Sequence, residues 1–254
     1  MEIVTGSASI SLPPCVATIG CFDGVHRGHQ YLLEQVHNIA KAEGIASCLI
    51  TFANHPRQVL DTSFRPRLLT CLSQKIERFE QSPIEYCVLL PFTKELSLLS
   101  AREFMKVLHE EYHVQTLFVG HDHHFGHSQD EGFQEYCQYG KEFGMRVMQS
   151  KALTEDGVSV SSTLIRSCLC EGKIELANSY LGYHYYLTGR VVDGRKVGRT
   201  LGFPTANIQP LCADKLLPAL GVYAVYVYLG GKRYEGMLNI GSCPTVHDGD
   251  KSIC

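Results

Sequence analysis

The stretch Ala17-Thr18-Ile19-Gly20-Cys21-Phe22-Asp23-Gly24-Val25-His26-Arg27-Gly28-His29 decides how this 254-residue chain folds. Val16 to Ile19 is a short apolar run that predicts a buried strand. Gly20 and Gly24 break it, and Leu32, Leu33, Val36, Ile39 and Ala40 then recur at helical spacing. A strand–turn–helix unit of this kind delivers His26 and His29 beside the first turn of a helix. Backbone N–H groups and the positive end of the helix dipole favour a phosphate there. Gly28 lets the backbone approach closely where a side chain would obstruct it.

Two imidazoles and a helix N-terminus suit one kind of chemistry. When a second phosphate attacks the α-phosphorus of a nucleoside triphosphate, donors on the bridging oxygens stabilise the developing charge without any covalent step. His26-x-Gly28-His29, set between strand and helix after Gly20-x-Phe22-Asp23-Gly24, resembles the signature of the nucleotidylyltransferase superfamily. The plain alternative is a Gly-rich turn carrying two surface histidines.

Working outward, Ala46–Phe52 predicts a second strand, with Asn54-His55-Pro56 at its C-terminal end, where open α/β sheets bind ligands. A short helix is expected near Gln74–Gln81 and a third strand over Glu85–Leu90. Ser100-Ala101-Arg102-Glu103 is a capping box opening a helix, Thr116–Val119 a fourth strand, and Arg146–Gln149 a fifth, after a helix over about 132–143. Residues 1–14 are expected to be an edge strand or a loose lead-in. Strand–helix alternation implies an α/β fold with a mostly parallel sheet covered on both faces. Near Tyr183 the helical period stops, and apolar runs separated by glycines predict a small antiparallel β domain or barrel. The expected domains are therefore 1–183 and 184–254.

Composition narrows the class. With 44% hydrophobic and 19% charged residues and a net charge of −3, the chain gives no reason to expect nucleic acid or a membrane surface as partner. No run approaches the roughly 18 apolar residues a membrane span needs, and Met1-Glu2-Ile3-Val4 lacks the start of a signal peptide. A cytoplasmic location is the default. Eleven cysteines with no Cys-x-x-Cys pair read as reduced thiols, mostly filling the core.

A second candidate anion site is Ser161-Ser162-Thr163-Leu164-Ile165-Arg166. Hydroxyls at a helix start bind phosphate, and Arg166 one turn on reaches the same anion as a two-pronged clamp. An ordinary helix cap with a solvated arginine is the alternative.

Taken together, Gly20-x-Phe22-Asp23-Gly24-Val25-His26-x-Gly28-His29, Phe52-x-x-His55-Pro56, Gly120-x-Asp122-x-x-Phe125-Gly126 and Ser161-Ser162-Thr163-x-Ile165-Arg166 resemble, in order, the bacterial bifunctional riboflavin kinase/FMN adenylyltransferases. The resemblance implies a Rossmann-like nucleotidylyltransferase domain that transfers AMP from ATP to FMN, giving FAD and pyrophosphate with Mg2+. It implies that His26 and His29 contact the ATP phosphates, and that Arg166, Ser162 and Thr163 hold the triphosphate. Gly20, Phe22, Asp23 and Gly28 would line the nucleotide site, and Asp122 and Phe125 the flavin side. No general base is required, because the phosphate of FMN is already an anionic nucleophile. Two departures stand out: Asn54 where the family usually has proline, and His123-His124 in place of aromatic or basic residues. His121, Asp122, His123, His124 and His127 also suggest a metal, but adjacent histidines on one loop rarely all face one ion.

In the C-terminal part, the basic, Gly-rich segment from Gly189 to Asn207 could wrap ATP phosphates with its backbone, Gly198 included. Thr205 and Asn207 would supply oxygens to Mg2+. Gly202-x-Pro204-Thr205-Ala206-Asn207 resembles the riboflavin kinase signature, which implies phosphorylation of riboflavin by ATP. The sequence printed ends at Cys254, ahead of the region where the family places the glutamate that activates the riboflavin hydroxyl. The expectation is an incomplete barrel and a weak or inactive kinase. Other readings are a nucleotidylyltransferase with a different acceptor, or a flavin- or nucleotide-binding protein without catalysis.

Overall fold

The computed structural model describes residues 1–5, 12–121, 123–128, 130–155, 157–193, 202, 205–242 and 251–253. Asp122, Gly198 and most of the basic segment before Thr205 lie outside them. Two compact units emerge, Met1–Pro66 with Thr70–Ser161, and Arg67–Leu69 with Ser162–Cys254.

The first unit runs β1 (Glu2–Thr5), β2 (Cys15–Ile19), α1 (Arg27–Glu43), β3 (Ala46–Phe52), α2 (Pro56–Leu60), α3 (Leu72–Glu80), β4 (Tyr86–Leu90), α4 (Lys94–Leu98), α5 (Ala101–Glu110), β5 (Val114–Val119), α6 (Phe133–Phe143), β6 (Arg146–Gln149) and a small hairpin, β7 (Thr154–Glu155) with β8 (Val158–Ser159). Six strands form one parallel sheet in the order β1-β4-β3-β2-β5-β6. Residues 1–14 therefore contribute an edge strand, paired through Glu2↔Tyr86 to Thr5↔Leu89.

Side chains alternate across this sheet, so each strand feeds two cores. Ala17, Ile19, Cys48, Ile50, Val88 and Leu90 pack with Phe104, Met105 and Leu108 of α5 and Tyr136 of α6. Their neighbours Val16, Leu49, Cys87 and Leu89 pack on the other face with Leu32, Leu33 and Val36 of α1 and Phe79 of α3. Helix α1 ends at Gly44, whose backbone is left-handed at φ 66°. The capping box at Ser100 is formed, with Glu103 Oε2 accepting from the Ser100 N–H at 2.9 Å. Helix α3 begins two residues before its expected start, because the Gln74 side chain accepts from the Cys71 N–H at 3.2 Å.

Only some of the described cysteines fill the core: Cys21 and Cys170 are exposed, and Cys71, Cys137 and Cys212 half-buried. Cys15, Cys48 and Cys87 are buried free thiols on adjacent strands. Burial pushes the Cys87 thiol up to about 12, keeping it protonated.

The second unit contains α7 (Ser162–Cys170), α8 (Ile174–Leu181), β9 (Gly189–Val192), β10 (Asn207–Pro210), β11 (Gly221–Leu229), β12 (Lys232–Ser242) and β13 (Lys251–Ile253). Helical structure ends at Gly182, left-handed at φ 76°. All later strands pair antiparallel, as β9 with β10 and as the sheet β11-β12-β13. Among the described residues, no helix is long and apolar enough to cross a membrane.

Candidate active site

The order of the parallel sheet places β2 between β3, which follows it in sequence, and β5, reached only after β4. Such a reversal opens a crevice beyond the C-terminal ends of the strands. The turn after Ile19 lies there, and its backbone is unusual. Phe22 has φ 49°, Gly24 φ 84° and Val25 φ 37°. A left-handed conformation at β-branched Val25 costs about 1–3 kcal/mol and persists only where surrounding contacts impose it.

Those contacts come from the start of α3. Asp23 Oδ1 accepts from the Thr70 N–H at 2.9 Å and from its hydroxyl at 3.3 Å. The Thr70 hydroxyl oxygen accepts in turn from the Gly24 N–H at 2.9 Å. Lys75, only 8% exposed, donates from Nζ to the Cys21 carbonyl at 3.1 Å, to Thr51 Oγ1 at 3.1 Å and to the Phe52 carbonyl at 3.2 Å. Gly20 joins the turn to β3 through its N–H and the Ile50 carbonyl, 3.1 Å apart.

His26 caps α1. Its Nδ1 accepts from the His29 N–H at 3.4 Å, so the neutral ring carries its proton on Nε2. The two imidazoles lie stacked, with centroids 3.7 Å apart and planes 19° apart. Buried Phe22 meets the His29 ring edge-on at 5.2 Å and Phe79 at 5.7 Å. A Cβ on Gly28 would stand 3.2 Å from His26 ring atoms and 3.4 Å from the Val160 carbonyl, so this position leaves room for the capping ring. His29 Nδ1 is shut off from solvent with no hydrogen-bond partner among the described residues. Burial holds the His29 pKa well below the ordinary histidine value, and the nearby His26, Lys75 and His123 push it further down. At neutral pH the His29 ring is neutral, stacked on His26 at a helix N-terminus, with the Lys75 ammonium close by. An anion is favoured there.

The remaining candidates are placed as follows. Ser162, Thr163 and Arg166 sit in the first turns of α7, in the second unit, and Arg166 Nε donates to the Arg67 carbonyl at 3.0 Å. Phe125 is stacked on Tyr136 at 4.2 Å and bonded to its hydroxyl through both backbone groups at 3.2 Å. Thr205 is exposed just before β10, and Asn207 begins that strand opposite Val192. The histidine loop points in several directions. His124 Nδ1 contacts the Glu131 carbonyl and His127 Nδ1 the Ser97 carbonyl, while His123 lies within electrostatic reach of His29. No metal-binding group of three side chains exists among the described residues.

Two residues of this region, Thr70 and Lys75, carry no sequence motif, and Asn54 stands where the family motif usually has proline. Thr70 and Lys75 lock the turn, and Asn54 clamps two loops by donating to the Phe92 carbonyl at 2.9 Å and accepting from its N–H at 2.8 Å. One signal for Lys75 was available. Leu72, Lys75, Ile76 and Phe79 fall at i, i+3, i+4 and i+7, which puts a lysine on the apolar stripe of α3.

Comparison with known proteins gives the family of the chain. The family model described as FAD synthetase matches residues 9–164, and that described as riboflavin kinase matches 181–254. The bifunctional riboflavin kinase/FMN adenylyltransferase of Escherichia coli K12 is 36% identical over 251 residues, which cover 97% of this chain and 80% of that protein. The enzyme of the same name from Pseudomonas fluorescens is 37% identical over 233 residues, 91% of this chain and 74% of that one. A crystal structure described as a macrolide-efflux protein from Streptococcus pneumoniae superposes with a TM-score of 0.87 at 25% identity, over 100% of this chain and 83% of the other. Carrying both domains in the order of its relatives, the chain belongs to the bifunctional riboflavin kinase/FMN adenylyltransferase family.

Proposed function

We propose that residues 1–183 transfer AMP from ATP to FMN, and that residues 184–254 are the riboflavin kinase module, with ATP, FMN and riboflavin as substrates. The stacked His26–His29 pair at the N-terminus of α1 carries this reading. A triphosphate laid on that helix end receives backbone N–H donors and the Nε2 proton of His26. As the FMN phosphate attacks the α-phosphorus, charge moves onto the bridging oxygen and the departing pyrophosphate. Imidazole donors already in place stabilise it without reorganisation. Gly20, Phe22, Asp23 and Gly28 shape the turn. Ser162, Thr163 and Arg166, at the start of α7, are read by the family motif as phosphate-binding residues, and Asp122 and Phe125 as flavin-side residues.

Mg2+ fits the donor set. Thr205 and Asn207 offer neutral oxygens two residues apart, just before and at the start of β10. Bound there, the ion would neutralise phosphate charge in the kinase module; in the adenylyltransferase module it would arrive on the triphosphate. A cytoplasmic location and small molecules as sole partners complete the proposal.

The test mixes the purified chain with FMN, ATP and Mg2+ and follows FAD and pyrophosphate, with His29→Ala in parallel. FAD from the wild type and a loss of about a hundredfold or more in the variant is the expected result. Flavin binding without FAD would instead make this a binding protein. Riboflavin offered with ATP reads the kinase module in the same preparation.

A further inference from the structure

Lys75 is a buried charged group near the turn that no motif and no mechanistic step so far accounts for. A lysine ammonium has three protons, and all three have acceptors within 3.2 Å: the Cys21 carbonyl, Thr51 Oγ1 and the Phe52 carbonyl. Two of these acceptors lie at the C-terminal end of β3 and one in the turn that follows β2. The side chain therefore straps together the two strand ends that border the crevice.

Its charge is also unusual in place. Burying an ammonium without a carboxylate partner in direct contact is costly. Burial indeed draws the Lys75 pKa below the ordinary lysine value, while Cys21, Asp23 and Cys87 hold it up. A strap made only for stability could be built from neutral groups. A cation here has a second consequence, because its field reaches His29.

We propose that Lys75 is a positioning residue for adenylyl transfer: its ammonium fixes the Gly20–Gly24 turn and sets a permanent positive charge behind the triphosphate site. This rests on the reading of that turn as the triphosphate site. The charged and titratable groups facing His29 are His26 from the turn, Lys75 from α3 and His123 from the loop after β5. Of these Lys75 is the ammonium, held by three acceptors. It favours phosphate arriving and disfavours a proton on His29, leaving that ring neutral until an anion is bound.

The test compares wild type with Lys75→Met, which keeps the aliphatic length and removes the charge and its three bonds. Expected are an ATP KM raised about tenfold or more and inhibition by pyrophosphate weakened in parallel, with the FMN KM little changed. The His29 ring, followed by NMR, should titrate closer to an ordinary histidine. A purely structural strap would lower the melting temperature without this split between ATP and FMN. A folded Lys75→Met with wild-type ATP KM and pyrophosphate inhibition overturns the inference. If that variant fails to fold, Thr51→Val removes one acceptor and keeps the charge. An ATP KM raised about threefold there supports the strap, and an unchanged one overturns it. No FAD from the wild type in the same assay would overturn the adenylyltransferase reading itself, and this inference with it.

Discussion

The ring of Phe22 stands edge-on to that of His29, 5.2 Å between centroids and 71° between planes, and edge-on again to Phe79 at 5.7 Å. A family-motif phenylalanine is thus a buried support for a histidine. Phe22→Leu keeps the apolar bulk and loses the aromatic edge. It should cost about 1–2 kcal/mol in urea unfolding and raise the ATP KM roughly threefold to tenfold. An unchanged KM in the folded variant would show that His29 needs no ring beside it.

Thr70 makes a testable link between the turn and α3. Thr70→Val keeps the shape and the backbone bond to Asp23 but removes the hydroxyl that serves both Asp23 and Gly24. The two hydrogen bonds of that hydroxyl are then lost, so a destabilisation of about 1–3 kcal/mol is expected. FAD formation should slow together with it. Stability equal to wild type would mean that the turn is held by its other contacts alone.

His29 predicts a pH dependence. Its folded pKa lies well below the ordinary value, first because of burial and then because of His26, Lys75 and His123. The unfolded chain takes up this proton near pH 6.5, the folded chain only at lower pH. Between those values the unfolded state binds more protons, and folding stability falls as the pH drops. Urea midpoints from about pH 8 to about pH 5 should fall more steeply for the wild type than for His29→Gln. Parallel curves would place His29 among ordinary histidines.

Two glycines separate backbone freedom from space. Gly126 and Gly144 are both left-handed, at φ 93° and 74°. A Cβ on Gly126 would lie 2.5 Å from the Ala101 N, whereas nothing lies within 4 Å of one on Gly144. Gly144→Ala should cost about 1–2 kcal/mol and Gly126→Ala roughly 2–5 kcal/mol. Similar losses in urea melts would show that the loop carrying Gly126 can shift away from α5.

Much of the fold is legible in the residues. Cys48, Leu49 and Ile50 belong to a continuous apolar run because β3 is covered on both faces, and such runs mark parallel strands. The Gly44 stop, the Ser100 box and the loss of helical period before Gly189 are likewise local signals. Residues 2–5 are too few to reveal that they pair with β4. Of the site, the placement of the motif histidines at a helix start was legible. The shape of their turn was not, since positive φ at Phe22 and Val25 contradicts local preference. Nor was the role of Thr70 and Lys75, whose partners are distant in sequence. Asp122 and Gly198, named from the same motifs, lie outside the described residues.

That distance has a consequence for how the protein is made. Thr70 lies 46 residues beyond Gly24, and Lys75 lies 54 beyond Cys21. During synthesis the segment Gly20–His29 therefore leaves the ribosome well before the groups that hold its strained backbone. Closing those contacts is a non-local step, later than the growth of α1 from its own sequence. The nascent chain presents His26 and His29 on a slack loop, whose shape is set only when α3 docks.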